Sequence, residues 1–534
     1  MPVRLSTYIA ITATLLSVAP LMGATGIGVT DSIARLSQPY ASSKDWEAES
    51  FGARFRRDAV TGNPAAMTEL LPFSVTTLGL HGSLSETART LPAEIGDGEL
   101  TGSVTANSYR HLGKNTTVWG HARFHAGKIK GVSWNNSADY DLVGPYVIGD
   151  PVGGDLTTRS YDFGGGYAGE SEKWRWGVEA SYRAAIDYRG RDPRDKIIVS
   201  DLDVSIGGGF RPAGSGLAIG LSGNVKVYNQ TAAMEFYNPL NDIPTYAMTG
   251  LGSYYPRFSG NSGRNTAYSG AGFGLSVSLF PVSDNSGRPV RAQIEMSNLR
   301  LRQYMRDFNN LELTHTSTSS LAGEYGMMFG NLDERTSGIC YGFTVRGHYS
   351  RKTGTENLVG SSTGNNYPII GERENYRKTV AGASLTLPVE LRLDPSNRIG
   401  LTLGGSYTSV SETLIEPSRK VSASNVTPSL CGEWSRRFTK GAILTIDGEV
   451  SRRFTTPGTI TLTALDTASE LGVAVMRDIS LTTSDITAYG LSAKVELPVV
   501  DSAALYLKAA WERRDFSRRC GSADYATLSV GINL

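Results

Sequence analysis

His121 and His125, in the run HARFH, have the four-residue spacing at which two imidazoles on a helix can hold one metal ion. On a strand the same pair shares a face but stands about 13 Å apart, at about 3.3 Å per residue, too far for one ion. The alternation around them favours the strand, so they read as polar side chains beside Arg123 on a wet face. The chain contains no G-x-S-x-G, no H-E-x-x-H and no cysteine-pair zinc spacing. The glycine runs GGGY (164–167) and GGGF (207–210) lack the strand-to-helix setting of a phosphate loop. They read instead as relief of crowding in a curved sheet. No cofactor or metal is expected. The remaining chemistry is charge: Arg175, Glu179, Arg183, Asp201, Asp203, Lys226, Arg346, Asp447 and Glu449 all fall on the polar side of an alternating pattern. Their signs are mixed, so they do not form the single-sign ring of an ion-selective pore. They suit a cross-strand pairing network, perhaps arranged around a plug.

The elements that position them are long amphipathic strands. In KWRWGVEASYRAAIDY (173–188), Trp174, Trp176, Val178, Ala180, Tyr182, Ala184, Ile186 and Tyr188 take one parity. Lys173, Arg175, Glu179, Ser181, Arg183 and Asp187 take the other. The same period of two recurs in 217–227, 267–279, 339–349, 383–393 and 491–499. Repeated alternation over roughly ten residues is the pattern of a transmembrane β-barrel. The reason is that lipid leaves no partner for an open sheet edge. A secreted sandwich or propeller is the alternative, but its strands would be shorter, with turns every 8–12 residues. Two irregularities stand out. Pro388 sits at an inward position, where it withholds a ladder donor. In VRAQIEMSNLRLRQ the apolar parity flips near Ser297 and Asn298, which reads as a bulge.

Turn-like links at 112–115, 170–173, 212–215, 284–287, 394–397, 438–441 and 500–503 alternate with longer ones at 131–156, 231–264, 353–373 and 457–484. In outer-membrane barrels the short set faces the periplasm. The spacing predicts about 18 strands, with 16 as the other even count, over residues 73–534. The last strand, ADYATLSVGINL, alternates to the final residue, Leu534, where bacterial barrels commonly have an aromatic.

Residues 1–24 read as a secretory signal peptide, with Arg4 before an apolar run and small residues at Gly23, Ala24 and Gly26. Residues 25–72 do not alternate. Short helices are expected around Ser32–Leu36 and Ala65–Leu70, with Pro64 suited to a first turn. This stretch precedes the first strand and reads as a plug in the lumen, its candidate residues being Arg54, Arg56, Arg57, Gly62, Asn63 and Pro64. The three arginines are expected to pair with inward acids such as Asp201, Asp203, Asp447 or Glu449. A periplasmic tail is the alternative, suggested by QPYASSKDWEAES. The run GNPAAM (62–67) resembles the Asn-Pro-Ala signature before the first strand of fatty-acid-transporter-like (FadL-like) barrels and of PorV-type secretion barrels. In architecture and texture the mature chain resembles the large, uncharacterised outer-membrane β-barrel proteins of Bacteroidota. That resemblance implies a location and a fold, and no established substrate.

A formal net charge of +1, spread without blocks, gives no case for nucleic acid. Three cysteines cannot all pair, so a disulfide framework is not expected. The expectation is an all-β, closed antiparallel transmembrane barrel in the bacterial outer membrane, in contact with its lipid. It would be a channel or transporter for small or hydrophobic solutes. The alternatives are a non-transporting scaffold that binds secretion or surface-complex subunits, and a barrel enzyme whose site is assembled across strands.

Overall fold

In the computed structural model the residues described are 46, 50–60, 62–71, 73–87, 91–238, 240, 242–282, 289–330, 336–364, 367–500, 503–517 and 520–534. The signal peptide expected at 1–24 and the helix expected at 32–36 lie outside them. From Val75 the described chain runs as eighteen strands in one closed antiparallel sheet. In chain order they are β1 (Val75–Glu86), β2 (Gly98–His111), β3 (Thr116–Val132), β4 (Gly154–Glu170), β5 (Trp174–Arg189) and β6 (Arg194–Phe210). Then come β7 (Leu217–Glu235), β8 (Asn265–Pro281), β9 (Val290–Met305), β10 (Leu311–Gly330), β11 (Gly338–Val359) and β12 (Ile369–Asp394). The last six are β13 (Asn397–Leu414), β14 (Arg419–Arg437), β15 (Ile443–Leu462), β16 (Ile486–Val500), β17 (Ala503–Phe516) and β18 (Gly521–Asn533). Each pairs with its chain neighbours, and β1 pairs with both β2 and β18, which closes the ring. Leu534 joins that seam, exchanging backbone hydrogen bonds with Thr76 at 2.8 and 3.0 Å. Closure matters because an open edge would leave a row of unpaired amides.

The strand ends at 111 and 116, 170 and 174, 210 and 217, 281 and 290, 330 and 338, 394 and 397, 437 and 443, and 500 and 503 lie at the end where the barrel begins and finishes. Of these junctions, the one between 330 and 338 is the one the turn chemistry did not single out. The long links 133–153, 236–264 and 463–485 leave the other end. Along β5 the two faces separate as the parity requires: Trp174, Trp176 and Val178 are exposed, while Arg175, Glu179 and Asp187 are buried.

No bulge occurs at Ser297–Asn298. The β8–β9 register is continuous through it, and the single shift in the β9–β10 ladder lies at Gln303/Tyr304. What flips is polarity, not phase. Ile294 and Met296 point outward and are exposed, and so do Arg300 and Arg302 further along. Leu301 and Met305 point inward and are buried. β7 does the same: Val225 and Val227 are exposed on the outside, followed by Asn229 and Thr231, while Tyr228, Ala232 and Met234 are buried inside. In this upper part of the wall the outer face is polar and the lumen holds an apolar core. Alternation read from sequence cannot distinguish a bulge from such an exchange of environments. Pro388 does mark an irregularity: β11–β12 pairing breaks between Tyr341↔Val389 and Thr344↔Thr386, with the register unchanged on either side.

Two groups of elements lie against the inward face. At the short-turn end is the N-terminal segment, helix α1 (Phe51–Val60) followed by a 3-10 turn at Pro64–Glu69. The turn matches the helix expected at Ala65–Leu70, with Pro64 at its first position. Helix α1 is not among the expected helices, although Phe51, Phe55 and Ala59 fall on one helical face. Its start is held by the Ser50 hydroxyl, which accepts from the Ala53 amide at 3.1 Å, and by the Phe51 amide, which donates to Glu390 at 2.9 Å. At the long-loop end is a cap. It contains the short helix α2 (Tyr140–Val143), a three-stranded sheet from residues 148–149, 245–250 and 253–260, and helix α3 (Glu470–Thr482), N-capped by Ser469.

Candidate functional site: the lumen between the N-terminal segment and the cap

The N-terminal segment is seated by glycines. Asn63 caps the 3-10 turn, its Oδ1 accepting from the Ala65 amide at 3.0 Å. Its Nδ2 points at Gly208 O and Ser278 Oγ, at 3.4 and 3.5 Å. Ser222 Oγ donates to Gly62 O at 2.7 Å. A Cβ on Gly207 would sit 2.1 Å from Asn63 Oδ1, and one on Gly177 2.4 Å from Pro64 O. Gly207, the first glycine of the GGGF run, therefore admits the Asn63–Pro64 turn; the expected relief of sheet crowding is not its main contact. In GGGY, a Cβ on Gly166 would meet the Trp119 ring at 2.3 Å, so that run makes room for an indole.

Charge ties the segment to the wall. Arg175 reaches Glu69 at 2.6 Å, with both side chains buried. Arg54 meets Glu433 at 2.7 Å and also stacks on Phe51. Arg291 contacts Asp58 at 2.9 Å and Glu324 at 2.6 Å, with its guanidinium 4.5 Å above the Phe55 ring. Arg398 donates to Trp46 O at 2.7 Å and stacks on that indole. Of the expected pairings of Arg54, Arg56 and Arg57 with Asp201, Asp203, Asp447 or Glu449, Arg54 comes within electrostatic reach of Asp447, while its close ion pair is with Glu433. Arg54 takes Glu433, Arg57 is buried, and Arg56 is half-buried. The acids have nearer partners. Lys226 lies 2.7 Å from Asp201, Asn224 donates to Asp203 at 3.2 Å, and Ser492 donates to Asp447 at 2.7 Å. Short side chains on adjacent strands reach each other at smaller entropic cost than a helix crossing the lumen.

The cap is held differently, mostly by basic wall side chains that bind its carbonyls. Arg419 donates to Leu251 O, Thr463 O and Ala464 O at 2.7, 3.0 and 3.1 Å. Arg453 donates to Leu481 O and Ser484 O at 3.0 and 2.9 Å, and Lys352 to Leu142 O at 2.8 Å. Arg183 joins Asp139 at 2.6 Å, and the fully buried Arg189 joins Asp150 at 3.1 Å and also Asp195. An apolar core spans the cap and the wall, with Trp134, Leu142 and Val147 packed on Ile197, Tyr228 and Leu301. A second cluster packs Val475 and Ile479 of α3 on Val421 of β14.

Beside the N-terminal segment lies a cavity of about 350 Å³. Phe51, Arg54, Phe55 and Asp58 of α1 bound it on one side, and strands β9–β17 bound it on the other. Its wall is rich in hydroxyls (Thr386, Thr402, Ser429, Ser492) and charge (Arg346, Asp447, Glu449, Lys494, Glu512). Arg346 pairs with Glu324, and Glu512 with Arg514. Glu449 stands opposite Gly490, where an added Cβ would meet its first neighbour at 3.8 Å. Of the expected luminal charges, Arg346, Asp447 and Glu449 line this cavity. Arg175 and Glu179 are buried nearer the N-terminal segment, while Arg183, Asp201, Asp203 and Lys226 form a network beneath the cap. Sequence reasoning missed Arg291, Arg398 and Glu433; each carries the inward parity of its strand, and that signal was present. His121 and His125 are on β3, and among the described residues no group of three His, Cys, Asp or Glu is placed to hold a metal ion.

A family described as "Family of unknown function (DUF6850)" matches residues 64–534. No curated protein matches the chain. Similar solved structures include the ferric preacinetobactin receptor BauA of Acinetobacter baumannii, with 10% identity, covering 86% of this chain and 80% of that one, at a TM-score of 0.38. Another is a FadL homologue of Pseudomonas aeruginosa, with 13% identity, covering 93% of this chain and 98% of that one, at a TM-score of 0.32. Nothing of the chemistry of either is carried over at such scores.

Proposed function

The chain belongs to that family of unknown function, and we propose that it is an outer-membrane β-barrel that passes a small polar or amphiphilic solute, with the N-terminal segment as an inner hatch. The cavity between helix α1 and the barrel wall carries the reading. Its size suits a small organic molecule, and its wall mixes hydroxyls and both signs of charge with Phe51, Phe55 and Met328. The membrane setting is supported by the outer face, where apolar side chains such as Leu221, Val277 and Ile294 stand exposed round the wall. Exposed apolar area on that scale needs a lipid or protein cover. A wholly hydrophobic solute fits less well, because it would take Glu449, Asp447 and the wall hydroxyls out of water while offering them no hydrogen bonds. Solute flux into proteoliposomes tests this. Gly490→Trp would fill the cavity from an open position, so flux should fall while the barrel stays folded; unchanged flux would overturn the reading.

One observation favours the scaffold reading as second. The outer half of the lumen is packed with cap residues, as a domain core is. A barrel that never opens would show no flux in any variant and would co-purify with stable partners.

A further inference from the structure

Above the apolar belt, the outer face of β9–β12 carries a block of arginines. The register across these strands sets the outward side chains in rows. Met296, Leu321 and Tyr349, all exposed, form the last apolar row, with Ala381 beside them. The next row towards the long loops is Asn298, Ser319, Arg351 and Thr379. The row after that is Arg300, Ser317, Thr353 and Arg377, and Arg302 follows opposite His315. All four arginines are exposed. The flanking strands carry no charge at these levels: the partners are Ala271 and Ser269 on β8, and Ser411 and Thr413 on β13. Carboxylates meet the upper edge of the patch, where Glu312 lies 3.8 Å from Arg302 and Glu374 pairs with Arg377 at 2.5 Å. Arg300 and Arg351 have no ion-pair partner among the described residues. Between them, Asn298 donates to Ser317 Oγ and Ser319 Oγ at 3.3 and 2.9 Å. Each serine thus accepts through its oxygen and keeps its own hydroxyl proton for another acceptor.

We infer that this patch seats the phosphate of an outer-leaflet lipid, held between Arg300 and Arg351 over Ser317 and Ser319, with the acyl chains lying on Met296, Leu321 and Tyr349. The inference rests on the membrane setting proposed above and not on transport. At about 4.8 Å between strands and about 3.3 Å per residue, the two arginine Cα atoms stand about 12 Å apart, so two extended side chains can close on one group. A guanidinium stays charged and offers paired N–H donors that match phosphate oxygens. The same oxygens can take the two serine protons. Lysine would serve equally well to keep an outer face solvated, yet all four cations are arginine. The level is right as well. The first arginine row stands directly above the last apolar one, as a headgroup stands above its chains, and the arginine stems can lie on the belt while their heads reach up. With the short turns facing the periplasm, the patch belongs to the outer leaflet.

The test is native mass spectrometry of the full chain in detergent with three probes: phosphorylated lipid A, the same lipid with its phosphates removed, and inorganic phosphate. The wild type should prefer the phosphorylated lipid over the dephosphorylated one by about tenfold or more. R300Q/R351Q should erase that preference. K128Q/R452Q removes two exposed cations from β3 and β15 instead, and should leave it intact. All four side chains face outward, so both variants should fold, which a shift in gel mobility on boiling verifies. Equal binding of the two lipids by the wild type would overturn the seat, and so would a preference that survives in R300Q/R351Q or is lost equally in K128Q/R452Q. Capture of inorganic phosphate as tight as that of the lipid would mean a free-anion site and overturn the lipid assignment. Lipid selectivity without solute flux would count against transport alone. Failure of the membrane setting reads differently, as recovery of the chain in a soluble fraction.

Discussion

At the scale of single residues, glycine and parity decide what each side chain touches. Gly207 is required by geometry alone: a Cβ there would sit 2.1 Å from Asn63 Oδ1. Gly207→Ala should push the Asn63–Pro64 turn off the wall and expose residues 46–70 to added protease, while the barrel keeps its resistance to unfolding in detergent. Protection of that segment in the variant would mean that the turn is not the anchor. Asn63→Ala is milder. It removes one cap, and should cost about 1 kcal/mol of segment stability in a melting experiment. The two faces of β5 should answer oppositely. Ala180 is exposed on the outer face, and an arginine there should cost about 2–4 kcal/mol if it lies near the bilayer midplane. Ser181→Arg, on the inward face, should be tolerated better. Equal costs in a refolding titration would show that the register or the membrane setting is wrong.

At the scale of elements, strand length and loop fate go together. Strand β12 runs for 26 residues, far beyond the roughly 9–11 that cross a bilayer. The surplus rises past the apolar belt and supplies the wall against which the cap packs. Helix α1 is the corresponding element at the other end. Its ties are both apolar and ionic: Phe55 packs on Met328 and Cys340, Ala59 and Val60 join the core at this end, and Arg54–Glu433, Arg291–Asp58 and the Phe51 amide to Glu390 add charge. Glu433→Gln should weaken the Arg54 pair, and if α1 is a hatch, solute flux should rise. Unchanged flux, with the variant folded, would say that α1 does not limit passage.

At the scale of the whole molecule, two groups of elements lie against the inward face, each with its own apolar core, the N-terminal segment at the short-turn end and the cap at the long-loop end. Removing residues 50–70 alone should therefore raise single-channel conductance only modestly, because the cap remains. Removing residues 465–482 as well should give a large step, since 16–18-stranded barrels leave an aqueous channel when empty. Two full-sized, additive steps would show that cap and N-terminal segment do not act in series. The chain should also fractionate with outer membranes and migrate differently before and after boiling on detergent gels. Recovery in a soluble fraction would remove the basis for every membrane statement above.

The strand count was legible in the residues, because a period of two is a local property that each strand displays without its neighbours; a strict alternation of short and long links is not what forms, since 190–193, 306–310 and 415–418 are short links at the long-loop end. The position of Pro64 at the head of a turn was local as well. Three things were not: which acid Arg54 meets, why Gly207 must lack a side chain, and why polarity rather than phase reverses after Ser297. Each depends on how far a strand rises past the lipid and on which loop folds back into the lumen. Those distances are set only when the sheet closes and fixes the stagger of all its strands at once.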